Sequence, residues 1–200
     1  MERLQGKYAC PNGDVWEANM NTPATAGEQL EGQALYKRQK VLRERRPFPI
    51  GPAIFAAGLQ APENMGSVLR LADAAGSQRV FFVGSNNSPS TQTRLRRTAR
   101  NCDAFIEWKF CALDEFIKQS DQFQPLVAIE LTTDSKSIFE VSLPNPCAFV
   151  IGSERYGIPE TLLAKCRQAM HIPMYGVNGS MNVTHALAIA LFEWRRQHST

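Results

Sequence analysis

Asn64, Arg70, Glu154, Ser180 and Asn182 are polar or charged residues set where an apolar run gives way to a turn or a helix. Such junctions are where α/β proteins assemble ligand sites. A set of this kind presents backbone N–H and C=O groups, accepts hydrogen bonds at a carboxylate and steadies an anion at a guanidinium. The five residues fall in three segments, 62-PENMGSVLRLADAAG-76, 151-IGSERYG-157 and 172-IPMYGVNGSMNVTHALAIALFEWRR-196. In the first, Asn64 follows a Pro-Glu turn and suits a helix N-cap, and Gly66 leaves room for another backbone to approach. Arg70, between Leu69 and Leu71, reads either as a functional cation or as a surface residue with its stem on apolar neighbours. In the second, four apolar residues run straight into Gly152, Ser153 and Glu154, with Gly157 and Pro159 beyond. This is either a ligand-holding loop or a plain strand-to-helix turn. In the third, a strand leaves through Pro173 into a loop with Gly176, Asn178, Gly179 and Ser180, and Asn182 is placed to cap the closing helix. The face Ala186, Ile189, Ala190 and Glu193 is mostly small and apolar, suited to close packing against the sheet or a second copy of the chain.

Other chemistries are missing their signatures. There is no Walker A loop and no G-x-G-x-x-G opening a dinucleotide fold. No serine stands in a G-x-S-x-G elbow. His171, His185 and His198 lack metal-ligand spacing, and His185 reads as a structural or interface residue. The five cysteines Cys10, Cys102, Cys111, Cys147 and Cys166 include no C-x-x-C pair. An odd count without a secretion signal points to free thiols in a reducing, cytoplasmic setting, with neither a disulfide framework nor a zinc or other metal site.

The elements that position these segments follow from composition and periodicity. The chain has 200 residues, 44% hydrophobic and 20% charged, with net charge +3. That is one ordinary domain plus an extension. No apolar run nears the ~20 residues a membrane span needs. The charge is uneven. Lys37 to Arg46 holds six basic residues against one acid, and Arg94, Arg96, Arg97 and Arg100 form a cluster with no acid inside it. Both read as phosphate-binding footprints or as solvated helix faces. Residues 1–50 form an extension. Within it, Asn12-Gly13 suits a hairpin turn between Tyr8–Cys10 and Val15–Glu17, and Glu28–Arg46 reads as a helix ended by Pro47, Pro49 and Pro52. In residues 51–200, strands at 53–59, 79–83, 105–108, 126–130, 147–151 and 169–172 alternate with helices at 64–75, 113–118, 160–165 and 182–196. That alternation predicts a mostly parallel α/β sheet flanked by helices on both faces.

Taken together and in this order, the three segments resemble the signature motifs of the SPOUT methyltransferases, specifically the SpoU/TrmH class. The matching features are Asn64-x5-Arg70, Gly152-x-Glu154-x-x-Gly157, and Ile172-Pro173-Met174 followed by Ser180-Met181-Asn182-Val183. The resemblance covers about residues 53–196. It implies a deep trefoil knot in the C-terminal part of the sheet, an exception to unknotted topology. It also implies S-adenosylmethionine as cofactor, a homodimer, and methyl transfer to a ribose 2′-OH of tRNA, favoured by analogy, or of rRNA. Gly152, Ser153, Glu154, Gly157, Ile172, Met174, Ser180 and Met181 would hold the cofactor. Arg70, Asn64, Glu154, Ser180 and Asn182 would complete the catalytic site. Lys37, Arg38, Lys40 and Arg43, with Arg94, Arg96, Arg97 and Arg100, would grip the RNA backbone. The rival readings are a base N-methyltransferase of the same fold, a catalytically silent RNA-binding protein that keeps the knot, and a generic nucleotide-binding α/β protein.

Overall fold

From Pro49 onward, short apolar strands alternate with helices, and each strand of the resulting sheet lies parallel to its neighbours. The computed structural model describes residues 8–9, 15–16, 27, 29–45 and 48–199. Residues 49–199 make one compact unit, and the described residues before Pro49 belong to another. In that first unit, β1 (Tyr8–Ala9) and β2 (Val15–Trp16) pair antiparallel, Tyr8 opposite Trp16. The expected turn Asn12-Gly13 lies outside the described residues. The helix α1 (Gly32–Arg45) starts four residues later than the sequence suggests, at a glycine with φ of 51°.

The second unit runs β3 (Ala53–Ala57), α2 (Pro62–Ala75), β4 (Arg79–Val83), α3 (Pro89–Ala99), β5 (Glu107–Cys111), α4 (Leu113–Gln119), β6 (Leu126–Ile129), β7 (Lys136–Ser137), β8 (Ala148–Ile151), α5 (Glu160–Leu163), β9 (Gln168–His171) and α6 (Val183–His198). Strands β3 to β9 form one sheet in the order β5-β4-β3-β8-β6-β9-β7, parallel throughout. Side chains alternate across it with the period of two that a strand imposes. Ile54, Ala56, Phe82 and Phe149 enter the core under α2, α3 and α6, with Leu69, Leu95, Leu187 and Trp194. Phe55, Ala57, Phe81 and Val150 enter the opposite core under α4 and α5, with Phe116 and Leu162. Both faces are therefore sealed, which is what near-continuous apolar strands require. Trp194 is fully buried and its indole N–H donates to the Pro144 carbonyl at 2.9 Å. Burying one such side chain stabilises by about 1.5–3 kcal/mol.

Several elements depart from the sequence reading. Helix α3 was not expected. Ser88 caps it, its hydroxyl accepting from Thr91 N at 3.2 Å, and Pro89 takes the first helical position. Strand β5 starts two residues later than expected, after a 3-10 turn at Cys102–Ala104. Strand β7, only two residues long, adds an edge beside β9. Asn64 is not an N-cap. Pro62, whose fixed φ suits a first helical position, begins α2 directly after an extended Ala61, so Asn64 lies inside the first turn. Gly66 does admit another backbone: a Cβ there would lie 2.6 Å from the Leu95 carbonyl oxygen of α3. Cys102, Cys111, Cys147 and Cys166 are free thiols, and burial pushes Cys147 and Cys166 up to about 12.

Candidate active site

The carboxyl ends of β8, β6 and β9 are adjacent in the sheet, and the loops that leave them enclose a cleft of about 550 Å³. That volume falls within the ~300–1,000 Å³ typical of small-molecule sites, and the position is the one open α/β sheets favour for ligands. The turn after β8 contributes Gly152, Ser153, Glu154 and Gly157. The loop after β9 contributes Ile172, Met174, Ser180 and Met181. The structure thus brings all eight residues expected to hold a cofactor to one cleft.

The turn after β8 is tightly built. Ser153 and Gly157 exchange two backbone hydrogen bonds of 3.1 and 3.0 Å, and Tyr156 N donates to Ser153 Oγ at 3.1 Å. Gly152 is packed so closely that a Cβ would fall on the Gly157 carbonyl group and the Ile158 nitrogen. Gly157 has φ of 64°, a conformation suited to glycine. A carboxylate missed in the sequence, Glu130 at the end of β6, fastens this turn from below. Its Oε2 accepts from Ile158 N at 3.3 Å and its Oε1 accepts from Leu131 N at 3.1 Å. No local pattern marks this role of Glu130, because Ile158, its partner in the turn, lies 28 residues away. His171 also lines the cleft, its Nδ1 3.1 Å from Ser135 Oγ.

The expected catalytic residues divide. Glu154 lines the cleft and accepts a hydrogen bond from Asn64 Nδ2, which ties the start of α2 to the turn after β8. Ser180 lines the cleft from the opposite loop. Asn182 is the N-cap of α6: its Oδ1 accepts from Thr184 N at 2.8 Å and from the Thr184 hydroxyl at 2.7 Å. Arg70 is exposed and is not among the lining residues. Six positions turn a helix through about 240°, so Asn64 and Arg70 leave α2 on different sides. Near Arg70, Cys102 Sγ donates to Asp73 Oδ2 at 3.6 Å; burial and Asp73 push that thiol up, and Arg70 partly offsets them.

The basic clusters also look different in three dimensions. Arg94 reaches Glu63 at 2.7 Å, and Arg96 reaches Asp103 at 3.8 Å. The acids absent from the arginine run in sequence are thus supplied by neighbouring elements. Arg97 and Arg100 are exposed. On α1, Lys37, Arg38 and Lys40 are exposed, Lys40 facing Glu44 at 3.8 Å; the side chain of Arg43 lies outside the described residues.

The lining has a distinct electrostatic character. Among the described residues it carries two carboxylates, Glu130 and Glu154, and neither lysine nor arginine, with His171 its one basic group. Around them stand Ile129, Leu131, Ile172, Met174 and Val183. Among the described residues no group of three or more His, Cys, Asp or Glu side chains converges as a metal site would.

Residues 52–192 match the SpoU rRNA Methylase family over most of the chain. The chain belongs to this family. Among its relatives, this SpoU chain is 27% identical over 164 residues to the tRNA (guanosine(18)-2′-O)-methyltransferase of Thermus thermophilus, covering 80% of each. It is 30% identical over 146 residues to the 23S rRNA (guanosine-2′-O-)-methyltransferase of Pseudomonas aeruginosa, covering 71% of this chain and 57% of that one. The AdoMet-bound rRNA methyltransferase of Sinorhizobium meliloti superposes with a TM-score of 0.64 at 27% identity. That match covers 78% of this chain and 59% of the Sinorhizobium chain, so the SpoU chain spans little more than half the length of its rRNA-modifying relatives.

Proposed function

We propose that this SpoU chain is an S-adenosylmethionine-dependent methyltransferase that modifies a ribose 2′-OH of RNA, with tRNA favoured over rRNA and the cytoplasm as its setting. The observation that carries the reading is the charge of the cleft. Two carboxylates and apolar walls, without lysine or arginine among the described residues, fit a nucleoside that bears a cationic sulfonium. They oppose a nucleoside triphosphate, whose phosphates need cations or a Gly-rich amide nest. A generic nucleotide-binding protein is thereby disfavoured. The Thermus and Pseudomonas relatives, both 2′-O-methyltransferases by name, favour the ribose over a base nitrogen.

In this reading the backbones of Gly152–Gly157 and Ile172–Met181 hold the cofactor, which supplies an electrophilic methyl group and its own leaving group. The chain's task is then to align a weakly acidic hydroxyl and help remove its proton. Glu154, tied to Asn64, and Ser180 are among the polar groups offered at the cleft. Arg70 stands outside the cleft lining, so its role lies with the acceptor strand. A guanidinium rarely gives up its proton, and it serves by holding a phosphate and stabilising developing alkoxide charge. Asn182 acts by fixing the start of α6 beside Ser180 and Met181.

The C-terminal trefoil knot belongs to the same reading. Its support is the strand order, in which β8 is seated between β3 and the earlier β6. A homodimer is supported by the half-buried Ala186 and Ile189 and the exposed Phe192 on α6. Residues 1–50 are read as a separate, basic RNA-contacting extension. Deleting residues 1–46 is expected to weaken RNA binding while sparing cofactor binding.

The deciding experiment is methyl transfer from labelled S-adenosylmethionine to tRNA and, separately, to rRNA from cells lacking this protein, followed by nucleoside analysis. A 2′-O-methylated nucleoside from either pool is the expected result. A methylated base, or cofactor binding without transfer to any RNA, would overturn it.

A further inference from the structure

Two exposed tyrosines belong to the two loops that line the cleft without being among its lining residues. Tyr156, 78% exposed, sits between the lining residues Glu154 and Gly157. Tyr175, 94% exposed, directly follows the lining residue Met174 in the opposite loop. Tyr156 is rigidly mounted: its own amide is held by Ser153 Oγ at 3.1 Å, and the Ser153–Gly157 bridge closes the turn around it. The Arg155 guanidinium lies 5.2 Å from the centroid of its ring. An exposed aromatic ring paired with a guanidinium is the surface that unstacked nucleobases recognise, through stacking and cation–π attraction. A tyrosine does this at low entropic cost, since only two side-chain angles must be fixed.

We infer that Tyr156, with Arg155, and Tyr175 form a stacking platform for unpaired nucleobases flanking the methylated ribose, so that the acceptor is a single-stranded or looped segment of RNA. The inference rests on the proposed methyltransferase reading and deepens it by naming the form of the substrate. A duplex keeps its bases stacked on one another and offers these rings no base face. Phosphate grip alone would not distinguish the two forms.

The test uses the full chain saturated with S-adenosylmethionine and two probes, a labelled unstructured 12-nucleotide RNA and a blunt RNA duplex of the same length. Tyr156→Ala and Tyr175→Ala are each expected to raise the single-strand Kd by roughly 5- to 150-fold, the range found for losing one base–aromatic stack. Tyr156→Phe keeps the ring and is expected to stay within twofold of wild type. Duplex affinity and the salt dependence of single-strand binding are expected to stay unchanged, because no phosphate contact is removed. Alanine variants that bind single strand as wild type does, or that lose single strand and duplex equally, would overturn the inference. A wild-type chain that binds cofactor but prefers the duplex would also overturn it, while leaving the methyltransferase reading intact. Failure of the wild-type chain to bind cofactor would instead remove that reading and this inference together.

Discussion

Gly152→Ala puts the close packing of the cleft turn to a direct test. Gly152 does not have a positive φ, so alanine faces no backbone penalty there; the whole effect is steric. The new Cβ would meet the Gly157 carbonyl group and Ile158 N, both backbone, with no flexible side chain to give way. Relief requires the turn to shift, which stretches the two Ser153–Gly157 hydrogen bonds and the 3.3 Å bond from Ile158 N to Glu130. Overpacking of this kind costs typically about 1–3 kcal/mol, and weakening two backbone bonds adds about 1 kcal/mol each. Part of that cost is absorbed if the turn opens locally, so global stability is expected to fall by about 1–3 kcal/mol. For a domain of this size that lowers Tm by roughly 2–4 °C per kcal/mol. The cofactor must re-close the turn, so its Kd is expected to rise by about ten- to a hundredfold, each factor of ten corresponding to about 1.4 kcal/mol. Titration calorimetry with S-adenosylmethionine and a thermal melt read the two quantities. Gly176→Ala is the control, since nothing lies within 4 Å of a Cβ there. If Gly152→Ala binds cofactor within threefold of wild type and melts at the same temperature, the steric argument is wrong.

Glu130→Ala leaves Leu131 N and Ile158 N without their carboxylate acceptor; it is expected to weaken cofactor binding about tenfold, and an unchanged calorimetric Kd would show that the staple is idle. Arg97→Ala and Arg100→Ala are each expected to reduce the slope of log K against log salt for RNA binding by about one. Arg94→Ala should reduce it less, because Glu63 already neutralises that guanidinium at 2.7 Å; equal slopes for all three would refute the distinction. The buried Glu193 accepts from Arg196 at 2.8 and 2.7 Å and from Gln197 at 2.7 Å, and the Arg196 bonds hold its carboxyl below the usual range. A depressed carboxyl favours the fold above its unfolded pKa of about 4.3 and loses that contribution as pH falls through its lower folded value. Urea midpoints of wild type and Glu193→Gln should therefore converge between pH 6 and pH 3, and a constant gap would count against the ion pair.

The cleft was legible in the sequence because its residues sit at element ends, where glycine, proline and capping residues leave local marks. Gly152, Gly157 and the run from Ile172 to Met181 needed no knowledge of distant contacts. Asn182 was legible as a cap for the same reason. Asn64 was misread because Asn and Pro compete as signals, and Pro62 fixes the helix start two residues earlier. Helix α3 was hidden by its composition: only Thr91, Leu95 and Ala99 of its residues are buried, too few for an apolar stripe, although Ser88-Pro89 was a usable start signal. Glu130, and the acids that meet Arg94 and Arg96, were out of reach because their partners are tertiary neighbours rather than sequence neighbours. The side of α2 from which Arg70 leaves was open to helical arithmetic, but the position of the cleft was not.

Arg195, near the end of α6, donates from Nε to the Ala75 carbonyl at 2.5 Å and from Nη1 to the Pro49 carbonyl at 2.7 Å. One side chain thereby binds the last helix to the residue with which the unit opens. The unit of residues 49–199 is thereby tied between its first residue and its last helix. Joining its ends with a short linker would require little further loop closure, and neighbouring termini are the condition under which circular permutation is tolerated. New ends opened between β4 and α3, far along the chain from the cleft loops, would leave the ligand-bearing turns intact.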